Sequence, residues 1–199
     1  MCVAYPTGLA AASNRVGDVI MYVEETLSSD EVFEGKIVRL HVDSVRLSTG
    51  ATVVREIVEH DDSVVVLPID SDCNALLVRQ YRYPIDDLLL EAPAGGVNAF
   101  ETPEECARRE LREETGYGAE RLHNLGWFWV SPGYCTEKMY AFMATELTDD
   151  PLEPDDDEVI ETVAMPVSQA IDQARTGQIK DSKTIAVLLM AAPVLAHEK

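Results

Sequence analysis

The sequence predicts an α+β protein. Two stretches between Lys36 and Tyr81 are apolar or alternating over strand-length spans and are broken by Ser-Thr-Gly and Asp-Ser-Asp turns. One helix, from Thr102 to Gly116, has both of its ends written in the sequence. Two further helical patterns follow a last strand near the end of the chain. Strand signals and helix signals come in runs, not in strict alternation, which is the α+β pattern.

Residues 1–28 have no clear period and read as a loose N-terminal arm, within which Met21 is an alternative start. Ile37, Arg39, His41 and Asp43 then alternate with Val38, Leu40, Val42 and Ser44, and Ser48-Thr49-Gly50 turns the chain into Thr52–Val58. The near-continuous apolar run Ser63–Ile69 predicts a buried strand, and Asp70–Asn74 turns it into Ala75–Tyr81. Later strands are expected at Leu125–Val130, Met139–Leu147 and Val159–Met165. Between the last two, Asp149–Glu161 is the most acidic run in the chain, held open by Pro151 and Pro154. Ser168 is placed as the cap of a short helix ending near Gly177, and Lys183–Ala192 as an apolar helix packed on the sheet.

Composition excludes several classes. A formal charge of -20 and a pI near 4.4 argue against nonspecific binding to nucleic acid or anionic membrane, and a polyanionic substrate would need local cations. Cys2, Cys73, Cys106 and Cys135 form no Cys-x-x-Cys and suit reduced thiols. The longest apolar run, near Ile185–Ala196, contains Pro193 and is too short to span a bilayer. No signal-peptide pattern opens the chain, so a cytoplasmic location is expected. The four histidines are scattered, with no metal-ligand spacing.

The chemistry concentrates between Gly95 and Tyr117. Thr102, Pro103 and Glu105 form an N-cap, a first helical residue and a capping-box partner, and Gly116 stands where a left-handed C-terminal cap belongs. Within the helix Glu110, Glu113 and Glu114 crowd one face, two of them in the last turn, where the dipole favours cations. At about 4 Å and an effective dielectric of about 20, one such repulsion approaches about 4 kcal/mol. A hard divalent cation held by oxygen ligands turns that repulsion into a site. Glu104 with Arg108, Glu105 with Arg109, and Arg109 with Glu113 are also i, i+4 pairs, so part of the pattern reads equally as a solvated ion-pair ladder. That ladder leaves Glu110 with Glu114, and the glycine loop upstream, unaccounted for.

This segment resembles the Nudix box, Gly-x5-Glu-x7-Arg-Glu-U-x-Glu-Glu-x-Gly-U with U bulky and apolar. It matches every defined position, the last one loosely through Tyr117. The resemblance implies a mixed sheet sandwiched between helices, and hydrolysis of a nucleoside diphosphate linked to another moiety. It also implies two or three Mg²⁺ or Mn²⁺ ions held by Glu110, Glu113, Glu114 and the Ala94 carbonyl, with Glu101 and Arg109 paired structurally.

Flanking residues are similar to the ADP-ribose pyrophosphatase subgroup. They are Arg55-Glu56 before a Val-rich strand, Gln80-Tyr81-Arg82 at the next strand's end, the lead-in Glu91-Ala92-Pro93-Ala94-Gly95, and Ser131-Pro132-Gly133 after the box. What this implies is an Mg²⁺-dependent hydrolase that splits ADP-ribose into AMP and ribose 5-phosphate. Guanidinium groups suit phosphate oxygens. Arg82, with Arg55 second, is carried over as a phosphate or ribose contact, beside Glu56, Pro132 and Gly133. In this subgroup Arg55 reaches the neighbouring subunit of a homodimer, and an antiparallel unit at residues 29–60 is exchanged across it, leaving 61–199 as the Nudix domain. A catalytic acidic loop is also implied, with Glu158 as the first candidate to position the water and Asp156 the second, aspartate replacing the subgroup's glutamate there, and Glu113 of the box counted among the catalytic residues beside them. Alternatives are hydrolysis of another nucleoside diphosphate sugar or a dinucleotide, or an ADP-ribose-sensing domain without catalysis.

Overall fold

A computed structural model describes residues 23–153 and 159–197. The N-terminal sheet is antiparallel, in the order β1 (Glu25–Glu34), β2 (Val38–Arg46), β3 (Thr52–His60). The β2–β3 hairpin has the turn its sequence predicts. Gly50 takes a left-handed backbone (φ 85), and the Leu47 N–H closes onto the Ala51 carbonyl at 2.8 Å. Strand β1 was not visible in the pattern. Residues 25–28, assigned from the sequence to the arm, lie inside it, paired from Glu25↔Arg46 onward. Every residue of β1 is exposed, so no buried stripe imposed a period on the sequence.

The central sheet is mixed. Its order is β7 (Ala94–Gly96), β4 (Ser63–Pro68), β9 (Lys138–Asp149), β8 (Tyr117–Trp129), with β4 and β9 parallel and the other pairs antiparallel. A third, antiparallel sheet runs β10 (Ile160–Pro166), β5 (Asn74–Arg82), β6 (Asp87–Glu91). Strand β4 explains the arrangement. All six of its residues are buried, so both of its faces must be covered, and its sequence is accordingly an unbroken apolar run.

On one face, Val64 and Val66 join Phe142 and Ala144 beneath α1 (Pro103–Thr115), which contributes Cys106, Ala107 and Leu111. On the other, Val65 and Leu67 pack with Leu77 beneath α2 (Val167–Arg175) and α3 (Ser182–His197), through Ala170, Ala174, Val187 and Leu188. The result is the expected helix–sheet–helix sandwich. Each fully buried Val or Leu contributes about 1.5–3 kcal/mol to holding its layer.

Three element boundaries differ from expectation. Strand β8 starts at Tyr117, not Leu125. A bulge between Asn124 and Gly126, with Gly126 at φ 111, interrupts the alternation that would have revealed it. Ser168 is not a cap, because α2 begins at Val167 with Pro166 at the N-cap and no side-chain capping bond. Helix α3 continues past Ala192 and through Pro193, where Val194 and Leu195 find apolar contacts on the core. Among the described residues no helix is long and apolar enough to cross a membrane.

Candidate active site

Helix α1 forms as its sequence dictates. Thr102 Oγ1 accepts from the Glu105 N–H at 3.3 Å, and the Glu105 carboxylate accepts from the Thr102 N–H at 2.8 Å. Gly116 closes the helix at φ 80, its N–H donating to the Arg112 carbonyl at 3.1 Å. Burying Cys106, Ala107 and Leu111 against β4 fixes the rotation of the helix about its axis. Glu110 and Glu114, one turn apart, are thereby drawn into the interior, each only 8% exposed.

The loop and the helix meet at Gly95. A Cβ there would stand 1.9 Å from Glu110 Oε1 and 2.1 Å from its Cδ, so the carboxylate occupies the space a side chain would fill. One turn on, Glu114 Oε1 accepts from the Ala94 N–H at 3.3 Å. The Pro93 carbonyl, just before Ala94, accepts from the Val66 N–H of the central sheet at 2.8 Å. The loop is thus pinned from the sheet and from the helix.

Arg109 organises the acidic face. Its Nε and Nη2 form a fork on Glu101 at 2.9 and 3.0 Å, and its Nη2 also reaches the Gly96 carbonyl at 3.0 Å. Its Nη1 donates to Glu110 Oε1 at 2.6 Å and to Glu113 Oε2 at 2.9 Å. Hydrogen bonding to Glu101, ahead of the other carboxylates, raises the Arg109 pKa, and the same contact holds Glu101 below its ordinary range. Burial pushes the Cys106 thiol up, so this cysteine is an inert part of the core.

These residues suit a divalent metal in donor chemistry. Glu110 and Glu114 are hard oxygen donors already brought together against the loop that carries Ala94. Glu113 is turned to Arg109 and would exchange that contact for an ion. Among the described residues no three acidic, His or Cys side chains converge into a ready-made cage. Asp156 and Glu158 lie outside the described residues.

The remaining candidates fall around two cavities. Arg82 lines one of about 340 Å³ beside Ala94, Gly95 and Gly96. Its Nε and Nη2 form a fork on Glu91 at 2.8 and 2.7 Å. Arg55, Glu56, Pro132 and Gly133 line a second, of about 350 Å³. There Arg55 is engaged by Glu24 at 3.0 and 2.7 Å. The two sets of the second cavity meet because the Val58 N–H donates to the Tyr134 carbonyl at 2.7 Å, and the Thr136 N–H to the Val58 carbonyl at 3.0 Å.

Sequence reasoning missed Lys183 and Asp181, which also line the first cavity. Its one available signal was a charged residue opening an otherwise apolar helix.

A family model described as the NUDIX domain matches residues 59–188. The chain belongs to the Nudix family. A second model, the nucleoside diphosphate sugar hydrolase N-terminal domain, matches residues 24–58, the region of β1 to β3. Among its relatives, the ADP-ribose pyrophosphatase of Bacillus subtilis is 36% identical over 163 residues, covering 81% of this chain and 88% of its own. The methanol dehydrogenase activator of Bacillus methanolicus is 35% identical over 182 residues, covering 89% and 98%. A crystal structure of an ADP compounds hydrolase superposes with a TM-score of 0.82 at 23% identity, over 91% of this chain and 98% of its own, and supports the Nudix fold.

Proposed function

We propose that this chain hydrolyses the diphosphate of ADP-ribose, giving AMP and ribose 5-phosphate, with Mg²⁺ or Mn²⁺ as cofactor. The observation that carries the reading is the burial of Glu110 and Glu114 against a loop where the Glu110 carboxylate takes the space a Gly95 side chain would fill. Two buried carboxylates one turn apart in the cation-preferring half of a helix, beside Glu113, make an oxygen-rich face whose donor chemistry suits a hard divalent cation. The relative named ADP-ribose pyrophosphatase supports the choice of substrate.

In this reading Glu110, Glu113, Glu114 and the Ala94 carbonyl hold two or three metal ions. Bound there, the metal supplies charge neutralisation at the diphosphate and a more acidic water. The protein's own part is to hold the ligands rigidly. Arg82 meets the substrate from the cavity beside the loop, and Arg55, Glu56, Pro132 and Gly133 contact its remainder. Glu158, or Asp156 after it, orients the attacking water and takes its proton. Residues 29–60, with residues 25–28 joining them in β1, form a unit exchanged across a homodimer, and residues 61–199 the Nudix domain. Exposed Val32, Phe33 and Val54 on the N-terminal sheet, with Ile37 in the bend between β1 and β2, support such an exchange, since a partner would cover them. The location is cytoplasmic.

The test is Glu114→Gln, assayed for AMP release from ADP-ribose with Mg²⁺, beside ADP-glucose, GDP-mannose and NADH as rival substrates. The expected loss of kcat exceeds about tenfold, or about 1.4 kcal/mol. A smaller loss removes the metal assignment, and a higher kcat/KM for a rival substrate removes ADP-ribose. Product masses in ¹⁸O water identify the phosphorus that is attacked.

A further inference from the structure

Helix α3 belongs to the layer opposite α1, yet its first turn reaches the candidate site. Asp181 caps that turn, its Oδ2 accepting from the Thr184 N–H at 2.9 Å and from Thr184 Oγ1. Thr184, fully buried, accepts the Ala92 N–H at 2.7 Å. Asp181 Oδ1 accepts from Lys183 Nζ at 3.0 Å, and the same ammonium donates to Glu91 Oε2. Glu91 is 1% exposed and already carries the Arg82 fork. A single buried carboxylate is therefore shared by two cations that arrive from different layers. Both cations line the cavity beside Ala94, Gly95 and Gly96.

We propose that Lys183 is a positioning residue for substrate. By sharing Glu91 it fixes the Arg82 guanidinium on the cavity wall and leaves that guanidinium's remaining N–H groups for an anion. The inference rests on the ADP-ribose reading and adds to it a residue that acts through Arg82.

The physical reason is charge accounting around Glu91. A buried carboxylate is costly unless it is compensated. Were Arg82 its only partner, the guanidinium charge would be consumed in a neutral pair. With Lys183 and Asp181 the two cations and two carboxylates balance, so what Lys183 adds is a second hold on Glu91 that fixes Arg82 in place, not a spare charge. Asp181, which also faces Lys183, is met in turn by both Thr184 donors at a helix N-terminus, where an anion is favoured. Lys183 is no loose surface charge, since its side chain is only 15% exposed and two carboxylates hold it. In a chain of net charge -20, a diphosphate needs fixed positive groups of this kind.

The experiment compares Lys183→Met, Lys183→Gln, Lys183→Arg, Arg82→Gln and the Arg82→Gln/Lys183→Met double variant. Readouts are kcat and KM for ADP-ribose with Mg²⁺, the Kd for ADP-ribose by calorimetry in EDTA, and Tm. Lys183→Met is expected to raise KM and Kd about fivefold or more, with kcat within about twofold. Lys183→Gln, which keeps a donor to Glu91 without the charge, gives the same rise and serves if the Met variant does not fold. Lys183→Arg restores both constants, and the double variant matches Arg82→Gln alone. KM and Kd within about twofold of wild type in either uncharged variant, or effects that multiply with Arg82→Gln as independent sites would, overturn the proposal. If the wild type releases no AMP from ADP-ribose, the proposed function fails separately. The Lys183 comparison then stands on calorimetry with AMP and inorganic pyrophosphate, where equal Kd values for wild type and Lys183→Met overturn it.

Discussion

Replacing Gly95 with alanine adds one methyl group at the point where loop and helix meet. Gly95 lies in β7 with no left-handed backbone requirement, so its conformation accepts alanine. The obstacle is Glu110, whose Oε1 would be 1.9 Å from the new carbon, whereas non-bonded atoms settle near about 3.5 Å. The carboxylate must therefore retreat by about 1.6 Å, which its side-chain torsions allow at an off-rotamer cost of about 0.5–1.5 kcal/mol. The fold should survive with a small fall in Tm. The chemistry should not, because a misplacement of about 1 Å in a positioned group costs about a hundredfold in rate. Expected for Gly95→Ala is a loss of kcat/KM for ADP-ribose of about a hundredfold, close to about 2.7 kcal/mol of transition-state stabilisation, with a raised Mg²⁺ requirement. Gly96→Ala is the control. A Cβ there meets nothing within 4 Å, and a loss of at most about fivefold is expected. A folded Gly95→Ala enzyme within about fivefold of wild type would refute both the close approach and its role in placing Glu110.

Two further outcomes follow from the packing and from the charges. Leu111 is fully buried between α1 and the central sheet, so Leu111→Ala should cost about 2–5 kcal/mol in denaturant unfolding, and a loss below about 1 kcal/mol would mean that the layer is not packed as described. Acid stability should depend on Glu91. Burial alone would raise its pKa, but Arg82 and Lys183 outweigh burial and hold it below the ordinary value of 4.5. A depressed folded-state pKa gives stability that is present above the unfolded value and lost as pH falls through the folded one. Tm should therefore begin to fall as pH drops below about 4.5, and Glu91→Gln should flatten that acid-side slope; an unchanged slope would count against the cluster.

How much was legible in the sequence depends on the distance over which each feature is specified. Helix α1 was readable to its last residue, because Thr102, Pro103, Glu105 and Gly116 act within a few positions of themselves. The crowding of Glu110 with Glu114 follows from the same short spacings, whereas the Arg109 contact with Glu101, eight residues apart, was implied by the family resemblance. Strand β4 showed itself because both of its faces are buried, whereas β1, exposed throughout, left no apolar pattern to read. Ser168 misled because a favourable capping residue one position inside the helix cannot cap it.

The sequence by itself determined the helix that carries the glutamates, the glycine that must precede it, and the family these place the chain in. Tertiary structure alone decided that Gly95 and Glu110 share one small volume and that Arg82 leans on a buried Glu91. It also decided that a lysine far along the chain takes hold of the same carboxylate. The first group rests on backbone geometry within a few residues. The second rests on how three layers close around β4, and no local spacing records which distant side chains that closure brings together.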